Sequence, residues 1–198
     1  METESSLLSA AKMMNEEALV KIFDLYAPAL YSYAVRFCGD PVLADHIVGD
    51  VFVKLLEQLA VGNGPSTNLR AYLYESTYHQ MIDEVRSSQR QVPLEVAISL
   101  RQDAHLSLED QILLRQILHA IQNELTDDQR HVIVLRLLEG FSLRETASIM
   151  GKKVDHVKVI QNRSLTKLRQ SIENREMRKS IPSLKFRKFS KALGLGST

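Results

Sequence analysis

Between Leu125 and Leu168 the chain reads LTDDQRHVIVLRLLEGFSLRETASIMGKKVDHVKVIQNRSLTKL, a stretch that leaves the backbone few choices. Thr126 followed by Asp127-Asp128-Gln129 has the form of a capping box, in which Thr and Gln side chains satisfy each other's backbone N–H groups at a helix start. Val132, Ile133, Leu135 and Leu138 then give that helix an apolar side, and Gly140 closes it. A second capping box, Ser142 with Glu145, opens a short helix whose apolar side is Leu143, Thr146, Ala147, Ile149 and Met150. Ala147 stands where the two short helices approach closely. Gly151 supplies the tight turn, where a left-handed residue is easiest. In the longer helix that follows, Val154, Val157, Ile160, Ser164, Leu165 and Leu168 point inward, while Lys153, His156, Lys158, Asn162, Arg163, Lys167 and Arg169 remain outside. A cationic amphipathic helix alone fits a merely soluble surface equally well. Preceded by a short helix and a glycine turn, it has the layout of a helix-turn-helix that enters the major groove.

The net charge of +1 over 198 residues conceals an asymmetry. Residues 1–100 hold 7 Lys and Arg against 13 Asp and Glu, and residues 101–198 hold 18 against 11. A polyanion prefers the second half, while the acidic first half suits a basic protein partner. Solvated helices that simply differ in charge are the plainer alternative. With 44% apolar residues the chain has ample material for packed cores.

In the first half, the periodicity predicts a helix opening at Asn15, which caps it ahead of Glu16-Glu17. Leu19, Ile22, Phe23, Tyr26, Leu30, Tyr33, Ala34 and Phe37 form its apolar face, with Pro28 as a kink or a new start. Gly39-Asp40-Pro41 then supplies a stop, an N-cap and a first-turn proline. From Pro41 to Ala60, Leu43, Ile47, Val51, Leu55 and Leu59 recur in steps of four, with Ala44, Val48, Phe52 and Leu56 beside them. So broad a stripe wants partners on two sides. After the turn-rich Val61-Gly62-Asn63-Gly64-Pro65-Ser66-Thr67, a third helix is expected from Asn68 to about Arg90, with Leu69, Tyr72, Leu73, Ser76, Met81 or Gln80, and Val85 inward. Arg70, Tyr74, Tyr78, His79, Arg86 and Arg90 are left near the outer face. Aromatics interleaved with cations suit single-stranded nucleic acid, although tyrosines at this spacing more often form the half-buried rim of a core.

Periodicity fails from Gln91 to Ser107, so residues 91–107 read as a linker able to span about 55–60 Å when extended. A turn of duplex is about 34 Å, which lets two modules so joined occupy separate sites on one DNA. The second module opens near Leu108, with Ile112, Leu113, Ile117, Leu118 and Ile121 as a helix face. Residues 174–198 carry 7 basic residues against Glu176 alone. That tail is open to three readings: a solvated extension, an auxiliary DNA contact, or an element docked on the chain's own domains.

Cys38, the single cysteine, excludes an intramolecular disulfide and a cysteine-based zinc site. Its apolar setting fits a small hydrophobe better than a nucleophile. Six histidines are scattered without metal-ligand spacing, and no phosphate-binding glycine fingerprint occurs, so no catalytic residue, metal or other cofactor is expected. The N-terminus lacks a basic n-region and an apolar h-region, and no apolar run approaches the roughly 18 residues of a membrane span. A cytoplasmic, non-enzymatic protein of all-α class is the expectation, with two small helical domains at 1–90 and 108–173.

Taken together, residues from about Asn15 to Ile172 resemble bacterial sigma factors of the extracytoplasmic-function (ECF) group in the sigma-70 family. In the first half the resemblance rests on Gly39-Asp40, ADHIVGDVFVKLLE and NLRAYLYESTYHQMIDEVR; in the second, on LTDDQRHVIVLRLLEGFSLRETASIMG and VKVIQNRSLTKLR. It implies sigma domain 2 followed by domain 4, and a mechanism without covalent chemistry. Asp45, Asp50, Phe52, Val53 and Lys54 would face the clamp helices of the largest subunit of core RNA polymerase, whose flap is a further contact of the family. Asn63, Asn68, Arg70, Tyr74, Tyr78, His79, Arg86 and Arg90 would serve the melted minus-ten element, whose bases flip at a cost of a few kcal/mol. Arg144, Lys152, Lys153, His156, Lys158, Asn162 and Arg163 would serve the duplex minus-thirty-five element, each good base contact contributing about 1–3 kcal/mol of discrimination. An anti-sigma factor is a further partner the resemblance allows.

Several positions depart from the family's usual pattern. His46 and Gly49 stand where an acidic residue and a glutamine are common, Leu56 where tryptophan is, and His79 where asparagine is. Glu75 and Glu84 replace basic or neutral residues, Lys152 occupies a usually apolar turn position, and Ile160-Gln161 exchanges the usual polar and apolar order. A rival from another class is a two-domain helix-turn-helix regulator that binds duplex DNA without polymerase. The 44–57 helix separates the two: a sigma factor leaves it exposed, whereas a dimeriser buries it against its twin.

Overall fold

A computed structural model describes residues 3–87, 116–117 and 119–179, with side-chain surroundings as far as residue 84 and again to residue 172. The described residues are helical and without strands, and the chain forms two compact units. The linker 91–107, the helix start near Leu108 and the residues beyond 179 lie outside the described part.

The first unit holds α1 (Glu4–Lys12), α2 (Glu16–Cys38), α3 (Pro41–Ala60) and α4 (Leu69–Ser87). The expected start at Asn15 is correct for α2, where Asn15 Oδ1 accepts from the Ala18 N–H at 2.9 Å. An additional helix precedes it, however: Thr3 caps α1, which buries Leu8 and Ala11. Pro28 lies inside α2 without ending it. Gly39 takes the left-handed conformation that stops α2, and Asp40 Oδ1 accepts from the N–H groups of Val42 and Leu43, so three consecutive residues reverse the chain as their chemistry requires.

α2, α3 and α4 pack on one another, and α1 closes over α2 and α3. Ile22, Leu30, Ile47, Leu55, Leu69, Leu73 and Met81 are fully buried between them. Each such side chain contributes about 1.5–3 kcal/mol by leaving water. Two tyrosines join this core, Tyr33 and Tyr74, with ring centroids 5.4 Å apart.

In the second half of the chain residues 119–124 are helical, followed by α5 (Asp127–Ile133), one π-helical stretch (Val134–Leu138), α6 (Leu143–Ile149) and α7 (Val154–Lys179). Both expected capping boxes form: Gln129 N–H donates to Thr126 Oγ1 and Thr126 N–H to Gln129 Oε1, while Glu145 N–H donates to Ser142 Oγ and Ser142 N–H to Glu145 Oε2. Ala120, Ile121, Leu125, Ile133 and Leu168 form the core, with Ile117, Leu137 and Leu165 packed at its edge. Arg130 Nη2 donates to the Gln122 carbonyl, and Ser171 Oγ hydrogen-bonds Glu124, so polar ties on both sides fix the 119–124 helix.

Candidate nucleic-acid and protein interfaces

α3 owes its two faces to its four-residue apolar step. Ala44, Ile47, Val48, Val51, Leu55 and Leu59 are buried, which turns Asp45, His46, Gly49, Asp50, Val53 and Lys54 outward. This outer face is not uniformly polar: Val42, Val53 and Leu56 are 66%, 54% and 39% exposed. Asp50 also accepts a hydrogen bond from Gln80 Nε2 at 3.3 Å, which ties the face to α4. Of the five residues expected on this surface, four share it. Phe52 does not: it is 8% exposed and packs its ring 4.8 Å from that of Phe23 on α2. The half-exposed Phe23 extends the apolar part of the surface on to α2, a contribution the sequence concealed because Phe23 belongs to the same three-and-four spacing as its buried neighbours.

At α4 the expected and observed faces differ more. Leu69, Leu73, Tyr74, Thr77, Tyr78 and Met81 are buried, so the inward stripe is rotated relative to the expected one by about a third of a turn. Tyr74 and Tyr78, expected on or near the outer face with the rim of a core as the commoner reading for such rings, are 1% and 7% exposed. They complete the core where α4 packs against α2 and α3. His79 is exposed and sets its ring edge-on to Tyr78, while the Arg70 guanidinium lies over the Tyr74 ring, 5.4 Å from its centre. Asn63 and Asn68 are exposed at the loop. Asn68 has φ 50° and caps α4 by accepting from the Ala71 N–H at 3.1 Å. Gly64 in the same loop lies so close to Leu59 that a Cβ there would meet Leu59 Cδ2 at 2.5 Å, which pins the loop against the end of α3. Arg86 falls in the last turn of α4, and Arg90 is outside the described residues.

A further residue reaches this end of α4 from an unexpected place. Glu4 Oε1 accepts from the Leu69 N–H at 2.8 Å and Glu4 Oε2 from the Tyr26 hydroxyl at 2.9 Å. Burial, and then the Glu4 carboxylate, push the Tyr26 hydroxyl up to about 12.

On α7, Val157, Ile160, Ser164 and Leu168 are buried, and Lys153, His156, Lys158, Asn162 and Arg163 are exposed, as their spacing predicts. At 100° per residue, Lys158, Asn162 and Arg169 form one stripe and His156, Arg163 and Lys167 another. Between them runs a strip of Asp155, Val159 and Thr166, all exposed. Two largely basic rails flanking a less charged strip suit a helix lying in a groove, with its cationic side chains toward phosphates on either side and its other polar side chains toward base edges. Asp155 is the acidic member of this face and was not among the residues expected there. Val154, expected inward, is 39% exposed. Arg144 is exposed on α6, and Lys152 is half-buried in the turn where Gly151 has φ 60°.

Among the described residues no group of His, Cys, Asp and Glu could hold a metal ion, and no helix is long and apolar enough to cross a membrane. The geometry is that of a two-unit helical protein whose second half carries a helix-turn-helix. Residues 22–91 match sigma-70 region 2 and residues 123–170 match sigma-70 region 4, together more than half of the chain. Similar proteins include the ECF RNA polymerase sigma factor BldN of Streptomyces coelicolor, 26% identical over 82% of this chain and 63% of the relative. The ECF RNA polymerase sigma factor SigX of Bacillus subtilis is 25% identical over 80% of this chain and 85% of the relative. The chain thus spans just under two thirds of the first relative and most of the second. Among solved structures, the fold is similar to CnrH in complex with the cytosolic domain of CnrY, with a TM-score of 0.68 at 22% identity over 87% of this chain and 99% of that one. It is also similar to RpoE in complex with the anti-sigma factor NepR from Bartonella quintana, with a TM-score of 0.57 at 23% identity over 77% and 95%. The chain belongs to the sigma-70 family, in its ECF group.

Proposed function

We propose that this ECF sigma factor joins core RNA polymerase through the outer face of α3 and directs initiation at promoters it reads with two separate surfaces. The observation that carries this is the state of α3. A helix with so broad an apolar stripe still leaves Val42, Val53 and Leu56 open beside Asp45, Asp50 and Lys54, the mixed surface that suits a basic protein partner. The clamp helices of the largest subunit are the contact assigned to it, and the flap is assigned to the second unit.

Asn63, Asn68, Arg70 and His79 form the surface for the melted minus-ten strand. Tyr74 and Tyr78 support it from beneath rather than stacking on bases. Arg144, Lys152, Lys153, His156, Lys158, Asn162 and Arg163 serve the minus-thirty-five duplex, with Lys158 and Arg163 on phosphates and His156 and Asn162 nearer base edges. The acting form is cytoplasmic, non-enzymatic and without a cofactor, and an anti-sigma factor is its natural antagonist. Domain 2 is taken as residues 1–90, the linker as 91–107 and domain 4 as 108–173.

The test is association of the full chain with purified core polymerase, followed by sedimentation. One chain per core is expected, with affinity falling at least about tenfold in Val53→Arg while the melting temperature stays within a degree or two. A stable homodimer that ignores core polymerase would instead establish a polymerase-independent DNA-binding regulator.

A further inference from the structure

The exchanged pair Ile160-Gln161 acquires a physical explanation in the second unit. Ile160 takes the buried position, and Gln161 lies at the edge of the buried face of α7, roughly 160° round the helix from the exposed Val159. Gln161 therefore sits behind the reading face. Its Oε1 accepts from Arg136 Nε at 3.0 Å, and Arg136 Nη1 donates to the Phe141 carbonyl. One guanidinium thus holds both the back of α7 and the segment between α5 and α6.

Arg136 reaches both because of the backbone beneath it. Residues Val134–Leu138 form a π-helical stretch, which the Glu139 N–H closes by donating to the Val134 carbonyl, and beyond it the Phe141 N–H donates back to the Leu135 carbonyl. A π stretch widens a helix, is uncommon, and occurs where a side chain must be re-aimed. The planar fork of arginine then makes two directed bonds from one group, which a lysine ammonium does not reproduce.

We propose, taking the minus-thirty-five role of α7 as given, that Arg136 is a positioning residue for promoter reading. Through Gln161 and the Phe141 carbonyl it fixes the rotation of α7 about its own axis. A rotation of about 20° moves side-chain tips some 5–6 Å from the axis by about 2 Å. That displacement takes His156 and Asn162 out of register with base edges, while Lys158 and Arg163 still reach phosphates, which tolerate looser geometry. Arg136 therefore controls discrimination between sequences more than total affinity.

The experiment uses the full chain assembled with core RNA polymerase and a promoter library randomised over twelve base pairs at the upstream element. The most enriched duplex and its scrambled version are the probes for Arg136→Lys, Gln161→Leu and the double variant, measured well below every melting temperature. Gln161→Leu keeps the half-buried position filled and guards against a folding defect. In each single variant the affinity ratio between selected and scrambled duplex should fall about tenfold or more. The salt slope on the scrambled duplex should change by less than one phosphate. The double variant should lose no more than the worse single one, since both remove the same bond. A ratio unchanged in the variants, with only the melting temperature lowered, would overturn the positioning role. A wild-type holoenzyme that enriches no upstream sequence would instead overturn the assignment of α7.

Discussion

The carboxylate of Glu4 caps a helix that begins 65 residues later, accepting the backbone N–H of Leu69 at 2.8 Å. Its second oxygen accepts from the Tyr26 hydroxyl, so α1, α2 and α4 meet on a single side chain. A helix start has unpaired N–H groups and a positive dipole end, and both favour a carboxylate. Removing it should be costly. Glu4→Ala should destabilise the first unit by about 1–3 kcal/mol, and Glu4→Gln, which keeps one acceptor but no charge, by about half as much. Urea denaturation followed by tyrosine fluorescence reads both.

The same contact gives stability an alkaline limb. The folded-state pKa of Tyr26 is raised to about 12 from the ordinary tyrosine value of 10.0, so folding favours the protonated hydroxyl. Its contribution is therefore complete below about pH 10 and is lost as pH rises towards 12. Tyr26→Phe should lack this component. Subtracting the variant's denaturation midpoints from those of the unsubstituted chain between pH 9 and 11.5, a window roughly bracketing the reference value, should leave a difference that shrinks with pH.

Tyr74 separates core from interface. Only 1% exposed and with its ring centre 5.4 Å from that of Tyr33, it should behave as a large core side chain, with Tyr74→Ala costing about 3–5 kcal/mol. Tyr74→Phe should leave affinity for a minus-ten oligonucleotide, measured by fluorescence anisotropy on the holoenzyme, within about twofold of the unsubstituted chain. A loss of tenfold in Tyr74→Phe with an unchanged melting temperature would return this ring to the binding surface.

Gly49 lies in the middle of α3 with open space where a Cβ would stand. Gly49→Ala should therefore stabilise the fold by about 1 kcal/mol, the difference in helix propensity. On a surface that a partner approaches closely the same methyl should weaken association, so a higher melting temperature combined with lower affinity for core polymerase is the expected pair of results.

The elements that the sequence made legible are those whose signals are local. The capping boxes at Thr126 and Ser142, the Gly39-Asp40-Pro41 reversal and the inward set of α7 apart from Val154 all depend on residues within four positions of one another, and all appear in the fold. What stayed hidden depends on neighbours distant in sequence. The face of α4 was misjudged at Tyr74 and Tyr78 because periodicity gives a stripe but not which side the crowding helices occupy. The periodicity set Phe52 beside the apolar stripe, where it is buried, and only the family resemblance assigned it to the polymerase face; its pairing with Phe23 involves another helix. α1 was passed over because nothing near Glu4 reveals that its carboxylate belongs to Leu69 and Tyr26. Thr3 as a cap, with Leu8 and Ala11 one turn apart, was the available signal. Arg136 was equally hidden, since its partners are Gln161 and a backbone carbonyl.

Run-off transcription with purified core polymerase bears most directly on the whole account, using promoters selected from a genomic library and versions in which either the minus-ten or the minus-thirty-five element is scrambled. The expected result is initiation at discrete start sites that needs the chain and falls steeply when either element is altered. Duplex DNA binding by the chain without any start-site-specific transcript, at concentrations that saturate core polymerase, would contradict it.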